Sequence, residues 1–540
     1  MKTRVLIIGA GVTGTGLARD LALRGVECIV VEKADINAGA SGGNHGLLHS
    51  GARYAASDPG AAAECRVEGE RLKTLAPHCI EDTGGLFVAV QGDDENHIAD
   101  FPETCARSGI ATQALDVHDA REMEPSLTKR LIAAYRVADA AIDPFKLALD
   151  NMAHAETLGA KLLRHTAVVG FRLDGHRIGA VRLKNVATGQ SKTIEAEMVV
   201  NAAGAWAAAV AGLAGSSIPM VYSKGSLLVT GERIARRVIN RLRPPTDGDI
   251  LVPGGTVSIL GTTSERSVSP DAVTPEIHEV DRIIEEGAAM VPVLAATRYI
   301  RAYCGVRPLV SCEDACDDRR VSRGFALIDH GQDEKNRIAN LLTITGGKLT
   351  TYRLMAEKTA DLVGRRIGVD APCRTRSEPL PDMAAARWTE PGLAPRTWMA
   401  RGRPDDLLLC ECEMVSQAVV DDLVQAAAGH ENPPGLRALG LRSRIGKGPC
   451  QGTFCSQRVA AYLYDQGVWQ SDRGIAELQA FLRERWRGQE PLLWDVSLAQ
   501  AELLEATHCG LFGLELVETA IQNDSGGRHR PRKEHHGPTA

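Results

Sequence analysis

The first fifty residues constrain this chain more than any other stretch. Residues 4–8 (RVLII) read as a short buried strand, and Gly9–Gly14 (GAGVTG) follows at once. A helical pattern then runs from Thr15 to Arg24, and a second strand from Val26 to Val31 ends on Glu32. A G-x-G-x-x-G run alone is an ordinary glycine turn. Between a strand and a helix it does specific work: Gly9 permits the tight turn, Gly11 lets the backbone approach a pyrophosphate, and Gly14 lets helix and strand pack closely. The helix N-terminus then faces the phosphates. Glu32, at the end of the second strand, is placed to accept hydrogen bonds from ribose hydroxyls. The series predicts a dinucleotide site.

With 540 residues the chain has room for two to four domains, and 44% hydrophobic residues supply a core. A net charge of −6 gives nucleic acid no electrostatic footing, and 4% aromatics leave few stacking platforms. The N-terminus enters the first strand too early for a secretory signal. Thirteen scattered cysteines then read as reduced thiols in the cytoplasm. Met198 to Ser223 carries no charge, but it holds Asn201, Gly204, Gly212, Gly215 and Pro219. It reads as a buried strand, a turn at Asn201–Gly204 and a small-residue helix, not as a membrane span.

Residues 39–54 (GASGGNHGLLHSGARY) are glycine-rich, with hydroxyls, an amide, His45 and His49 close to the first turn. Taken alone, they fit a solvated loop as well as a flavin-binding one. Helical spacing appears at 60–76, 146–159 and 276–289, and strands at Thr83–Val90 and Arg177–Lys184. Residues 225–263 alternate strand-like runs with Gly and Pro, which predicts an antiparallel sheet inserted at roughly 216–300. Leu341–Thr345 is a buried strand, followed by Gly346-Gly347-Lys348 and a helix to about Ile367. That repeats the strand, glycine turn and helix N-terminus of an anion site. Two such turns and the Asn201–Gly204 strand end point to one extended dinucleotide held by a discontinuous domain, hence FAD. No His or Cys stands in a covalent-attachment motif, so the flavin is expected to be held non-covalently.

The Pro-, Ala- and Arg-rich stretch 371–401 reads as a linker, 466–522 as helical, and the basic 523–540 tail as disordered. Between them lies 402–465, with Cys410-x-Cys412, then 37 residues (413–449), then Cys450-x4-Cys455. Four thiolates suit a 2Fe–2S cluster, a tetrahedral zinc, or nothing if buried and inert. The glycines of GKGPCQGTFC (446–455) would let backbone N–H groups point at sulfur. Cys312 and Cys316 lack further ligands nearby and read as incidental.

These motifs together resemble the large FAD-carrying subunit of the anaerobic glycerol-3-phosphate dehydrogenases. The resemblance runs from Val5 to about Tyr462. It rests most on residues 44–54, Lys224–Leu228, Tyr303–Leu309, Val321–Gly324 and Thr345–Leu349. It implies an α/β fold: a Rossmann-type FAD-binding domain with an inserted antiparallel-sheet substrate domain (1–370), then a small helical iron–sulfur domain (402–465) and a helical C-terminal region. It implies oxidation of sn-glycerol 3-phosphate to dihydroxyacetone phosphate. Electrons would leave through a 2Fe–2S cluster on Cys410, Cys412, Cys450 and Cys455, then through partner B and C subunits, to a quinone at the inner face of the membrane. Arg307 and Arg323 would clamp phosphate, with Arg53 and Lys348 lining the cavity. Gly9, Gly11, Gly14, Glu32, Ser41, Asn44, His45, Gly46, Ala203, Gly204, Gly346, Gly347, Lys348, Leu349 and Thr350 would hold FAD. His49 is the expected base, with His45 or a water as alternatives. Aerobic relatives carry a histidine after the Lys-Gly-Ser motif where this chain has Leu227, so that base is missing here. The rival readings are a flavin oxidase of 2-hydroxy or amino acids, and a non-catalytic electron-transfer scaffold.

Overall fold

A computed structural model describes residues 1–186, 188–271, 273–310, 324–334, 336–383, 398–427 and 433–514. Arg323, Cys312, Cys316, residues 384–397 of the linker and the 523–540 tail lie outside them. The elements that build the site are, in chain order, β1 (Lys2–Ile8), α1 (Val12–Leu23), β2 (Cys28–Val31), α2 (Pro59–Leu75) and α3 (Pro144–Thr157). They continue with β3 (Ser191–Asn201), β4 (Met220–Thr230), α4 (Ile277–Met290), β5 (Tyr299–Val310), β6 (Leu341–Gly346) and α5 (Tyr352–Ile367).

β1 is the centre of the first sheet. It runs parallel to β2 on one side and to β3 on the other, and β3 runs parallel to β6. Val5, Leu6 and Ile7 are fully buried because both faces of this parallel core are covered. α1 packs between α3 and α5 on one face. On the other, the hairpin of Thr166–Asp174 and Arg177–Asn185 closes over Ile29 and Val199. The charge-free stretch from Met198 resolves into the end of β3, a short helix at Ala207–Gly212 and the start of β4. Among the described residues no helix is long and apolar enough to cross a membrane.

Among the described residues the second sheet has nine strands, and β4 lies antiparallel to β5 along its whole length. It takes strands from Gly85–Val90, Gln113–Leu115 and Leu131–Val137 as well as from the 216–300 stretch. It is mixed, not purely antiparallel: Val238–Arg241 runs parallel to Gly85–Val90. α4 opens with a reciprocal cap in which Glu276 and Glu279 take each other's backbone N–H. The register of β4 on β5 sets Ser223 opposite Arg307 and Gly225 opposite Gly305.

After residue 402 comes a separate core around Leu439, Val459, Leu463 and Trp469, which continues into the helix Arg473–Gln489. It is fastened to the first domain by Arg442, whose guanidinium reaches both Asp35 carboxylate oxygens at 3.1 Å, and by Lys447 Nζ, 4.5 Å over the Phe145 ring of α3.

Candidate active site and thiol cluster

One cavity of about 790 Å3 runs along the C-terminal edge of the first sheet to the face of the second. Its walls come from the β1–α1 turn, the 38–57 loop, the end of β3, β4, β5 and the β6–α5 turn. At one end lies Glu32, whose carboxylate accepts the Ala10 N–H at 2.9 Å and the Ala34 N–H at 2.8 Å. Burial raises its pKa while those two amides oppose the rise. Next come Gly9 and Gly11. A Cβ on Gly9 would sit 2.7 Å from the Ala202 carbonyl, and one on Gly11 would meet Ser41 Oγ at 3.1 Å. Ser41 Oγ also accepts the Val12 N–H at 3.1 Å. Gly14 does not line the cavity: a Cβ there would collide with the Gly9 carbonyl at 2.0 Å, so its role is to bring α1 against the turn.

Asn44, His45, Ala203, Gly204, Gly346, Gly347, Lys348 and Leu349 line the middle and far parts. Gly346 and Gly347 have φ of 80° and 69°, left-handed values that favour glycine, and they turn the chain from β6 into the helix that follows. Gly46 and Thr350 stand behind the wall. Gly46 has φ 69° in the turn before Leu47, and Thr350 Oγ1 accepts the His49 N–H at 3.1 Å. The sequence offered no signal for Trp206, which lies over Gly39 with the Lys33 ammonium 4.0 Å from its ring. Nor did it single out Thr262, Thr263 and Ser264, or Arg437, which reaches the same cavity from beyond residue 402.

The far end gathers the cations. Arg53 donates to Asp249 Oδ2 at 3.1 Å, and Lys348 Nζ lies 4.5 Å over the Tyr54 ring. Arg307 donates to Ser223 Oγ, to the Thr263 carbonyl and to Thr262 Oγ1. Although burial raises the Asp249 carboxyl, Arg53 and Arg243 hold it below the usual range, so it stays ionised. Two histidines sit among these charges. Burial, with Arg307 and Arg53, pulls His45 down to about 3. Burial, with His45, Lys348 and Arg53, pulls His49 well below its ordinary value. Both rings are therefore neutral at physiological pH. His49 Nε2 lies 3.5 Å from Tyr54 Oη, and the ring centroids are 5.1 Å apart.

These residues fit a dinucleotide flavin. The cavity is long, its glycine turns leave no room for side chains, and His45 Nδ1 is buried with no hydrogen-bond partner among the described residues. Arg53, Arg307 and Lys348 at one end suit a phosphorylated substrate.

The thiols form a second site. Cys410 stands on the short hairpin Leu408–Cys410/Val415–Ser416, and Cys455 is the first residue of a helix. Cys412 Sγ is 3.8 Å from both Cys410 Sγ and Cys450 Sγ. Backbone N–H groups of Glu413, Gly446, Gly452 and Phe454 point at Cys410, Cys455 and Cys450. Thiol hydrogen bonds from Cys412 and Cys455, with the Gly452 and Phe454 amides, lower the Cys450 thiol below its ordinary value. A Cβ on Gly448 would fall 2.5 Å from Cys412 Sγ. Spacings of 3.8 Å are those of thiolates that share one metal, so these thiols suit an iron–sulfur group or a tetrahedral zinc alike.

Residues 4–362 match the family model of FAD-dependent oxidoreductases. The A subunit of the anaerobic glycerol-3-phosphate dehydrogenase of Escherichia coli K12 is 43% identical over 95% of this chain and 99% of its own length. The A1 subunit of the same enzyme from Haloferax volcanii is 38% identical over 96% of this chain and 92% of its own. Among solved structures, the glycerol-3-phosphate dehydrogenase from Bacillus halodurans complexed with FAD superposes with a TM-score of 0.63, at 20% identity, over 92% of this chain and 96% of that one. This last likeness concerns the fold.

Proposed function

This chain belongs to the FAD-dependent oxidoreductases, among the A subunits of the anaerobic glycerol-3-phosphate dehydrogenases, and from that membership we propose how its residues divide the work. The enzyme is an FAD-dependent dehydrogenase of sn-glycerol 3-phosphate. Residues 1–370 carry out the alcohol oxidation, and residues 402–465 would hold a 2Fe–2S cluster through Cys410, Cys412, Cys450 and Cys455, a group that would supply one-electron transfer.

Bound FAD supplies the hydride acceptor, held by the Gly9–Gly14 and Gly346–Lys348 turns, Glu32 and the 41–46 loop. The protein supplies the rest. Arg307 holds the substrate phosphate, and Arg53 and Lys348 line the cavity beside it. Positioning of this kind accounts for much of a rate. His49 accepts the hydroxyl proton at Nε2. Its burial among cations keeps the ring neutral at physiological pH, which leaves the lone pair open and at the same time lowers its basicity. Arg323 is proposed as a further phosphate ligand on the resemblance alone.

One observation carries this reading: three cations and two neutral histidines share the end of a cavity whose other end is a dinucleotide turn. The test is anaerobic titration of purified protein with glycerol 3-phosphate, followed at flavin wavelengths, with 2-hydroxy acids as controls. Bleaching by glycerol 3-phosphate supports it. Bleaching only by a 2-hydroxy or amino acid overturns it.

The cluster reading is supported by the four thiols, the glycines beside them and the amides aimed at sulfur. A two-electron flavin feeding a one-electron chain needs such a relay. The B and C subunits and a membrane quinone are the proposed next carriers, since the relatives are named as subunits of a larger enzyme. The chain would then sit on the inner face of the membrane through those partners.

A further inference from the structure

The Lys224-Gly225-Ser226 motif has no role in the chemistry above, yet it lies directly behind Arg307. The Lys224 ammonium is turned away from the cavity end where the cations meet. It pairs with Glu279 at 2.9 Å, Glu276 at 3.3 Å and Glu265 at 3.4 Å. Glu279 is fully buried. Its Oε1 accepts the Thr263 hydroxyl at 2.6 Å, and its Oε2 accepts the Glu276 N–H at 3.0 Å. Burial raises this carboxyl, but hydrogen bonds from Thr263 and Lys224 hold it below its ordinary value, so it remains a carboxylate. Thr263 Oγ1 also accepts the Ser226 N–H at 2.9 Å. The Thr263 hydroxyl is thus tied at both of its roles, as donor and as acceptor.

The backbone of the same residue holds Arg307. Both terminal guanidinium nitrogens donate to the Thr263 carbonyl at 3.2 Å, and the neighbouring Thr262 hydroxyl takes a third bond. The guanidinium lies flat across Gly225, where a Cβ would come within 2.5 Å of a terminal nitrogen and 2.8 Å of the guanidinium carbon. Every piece of the motif therefore bears on one side chain. Gly225 leaves the space, Ser226 and Lys224 brace Thr263 and Glu279, and Thr263 presents the acceptor.

We propose that Glu279 and Thr263 are positioning residues for the substrate-phosphate arginine: the buried carboxylate fixes the Thr262–Thr263 segment, and that segment fixes the direction in which the Arg307 guanidinium meets a phosphate dianion. This rests on the reading of Arg307 as a phosphate ligand. Both terminal nitrogens of Arg307 already donate to Ser223, Thr262 and Thr263, so these partners set the plane and direction of its charge, and its orientation matters as much as its presence. A misplacement of about 1 Å at such a group costs up to about a hundredfold. A purely structural role, α4 held to the sheet through Lys224 and Glu279, would lower stability without regard to phosphate.

The test is a mutant cycle on the flavinated full chain. Two readouts are used: KM and kcat with glycerol 3-phosphate, and calorimetric binding of dihydroxyacetone phosphate, which the oxidised enzyme does not turn over. Thr263→Val removes the hydroxyl and keeps the shape. It should weaken binding and raise KM by about tenfold or more, with a smaller change in kcat and normal flavin content. Thr263→Ser keeps the hydroxyl and should restore wild-type binding. In an Arg307→Ala background, Thr263→Val should add less than about twofold, because neighbours acting through one group are not additive. Unchanged binding in flavinated Thr263→Val, or a full additional loss in the Arg307→Ala background, overturns the proposal. Unchanged binding in Arg307→Ala itself overturns the phosphate reading and this inference with it. If Thr263→Val does not accumulate with flavin, Glu279→Gln is measured in both backgrounds and the same outcomes decide.

Discussion

Replacing Arg353 with methionine should loosen the floor of the active site by a predictable amount. Arg353 is 3% exposed and grips Glu68, 1% exposed, through two bonds of 2.7 and 2.8 Å. Its third bond, 2.6 Å, goes to the fully buried Glu357. Glu68 stands on α2, one residue before Gly69, which packs against the His49 carbonyl and Thr350. Arg353 and Glu357 stand on α5, directly after the Gly346–Lys348 turn. Removing one partner of a buried ion pair costs about 3–5 kcal/mol, because charge is left without compensation. Here each carboxylate keeps a second arginine, Arg71 on Glu68 and Arg376 on Glu357, so the lower figure applies, about 3 kcal/mol. A chain of this size unfolds domain by domain, so the informative assay is the temperature at which flavin fluorescence is released. At 2–4 °C per kcal/mol for a large domain, the midpoint should fall by about 6–12 °C. Arg353→Lys should lose most of that as well, since a lysine cannot make the paired contact. The acid limb has a definite sign. Burial raises Glu357, but Arg376 and Arg353 bring it from 4.5 down to about 2. Its contribution is therefore complete above its unfolded value and lost as pH falls from about 4.5 towards 2. The wild type should destabilise through that window, and Arg353→Met should do so less steeply. A flavin-release midpoint within 1 °C of wild type would refute the reasoning.

Arg307→Ala should raise KM for glycerol 3-phosphate about 10- to 150-fold, the equivalent of one charge-assisted contact of about 1.5–3 kcal/mol, with normal flavin content. Steady-state kinetics on the flavinated variant decide it, and an unchanged KM sinks the assignment. Cys450→Ser should lose the cluster while flavin reduction by substrate persists. Anaerobically purified wild type should yield about two irons and two labile sulfides per chain, and stoichiometric zinc without labile sulfide refutes the relay. Since His45 and His49 are both held neutral, the rate of flavin reduction should show no imidazole step as pH falls from about 7.5 to 6. His49→Gln should slow it about 100-fold or more, and an inflection near 6.5 that this variant abolishes would count against the depressed pKa. Expressed without its partners, the chain should wash off membranes with salt, whereas retention through carbonate would show an anchor of its own.

What could be read directly from the chain is what is settled between near neighbours. Gly9, Gly11, Gly346 and Gly347 are demanded by local backbone angles and by close approach, so the two anion turns appear in the sequence as glycines. Helices such as 146–159 and 276–289 announce themselves by periodicity and appear as Pro144–Thr157 and Ile277–Met290. The C-x-C and C-x4-C spacings likewise marked a four-thiol site, since each pair is a local loop. The rest depended on which strand lies beside which. Ser223 and Arg307 are 84 residues apart and become partners only through the register of β4 on β5. Thr263 and Glu279 join them because the strand at Val257–Gly261 pairs with β4 and α4 packs across it. Strands from 85–137 complete the same sheet, and Arg437 reaches the cavity because Arg442 docks on Asp35. Non-local register is chosen by the hydrophobic faces of both partners together. No single stretch records it, and so Arg307, the arginine proposed to meet phosphate, could be named from its motif while the residues packed around it could not.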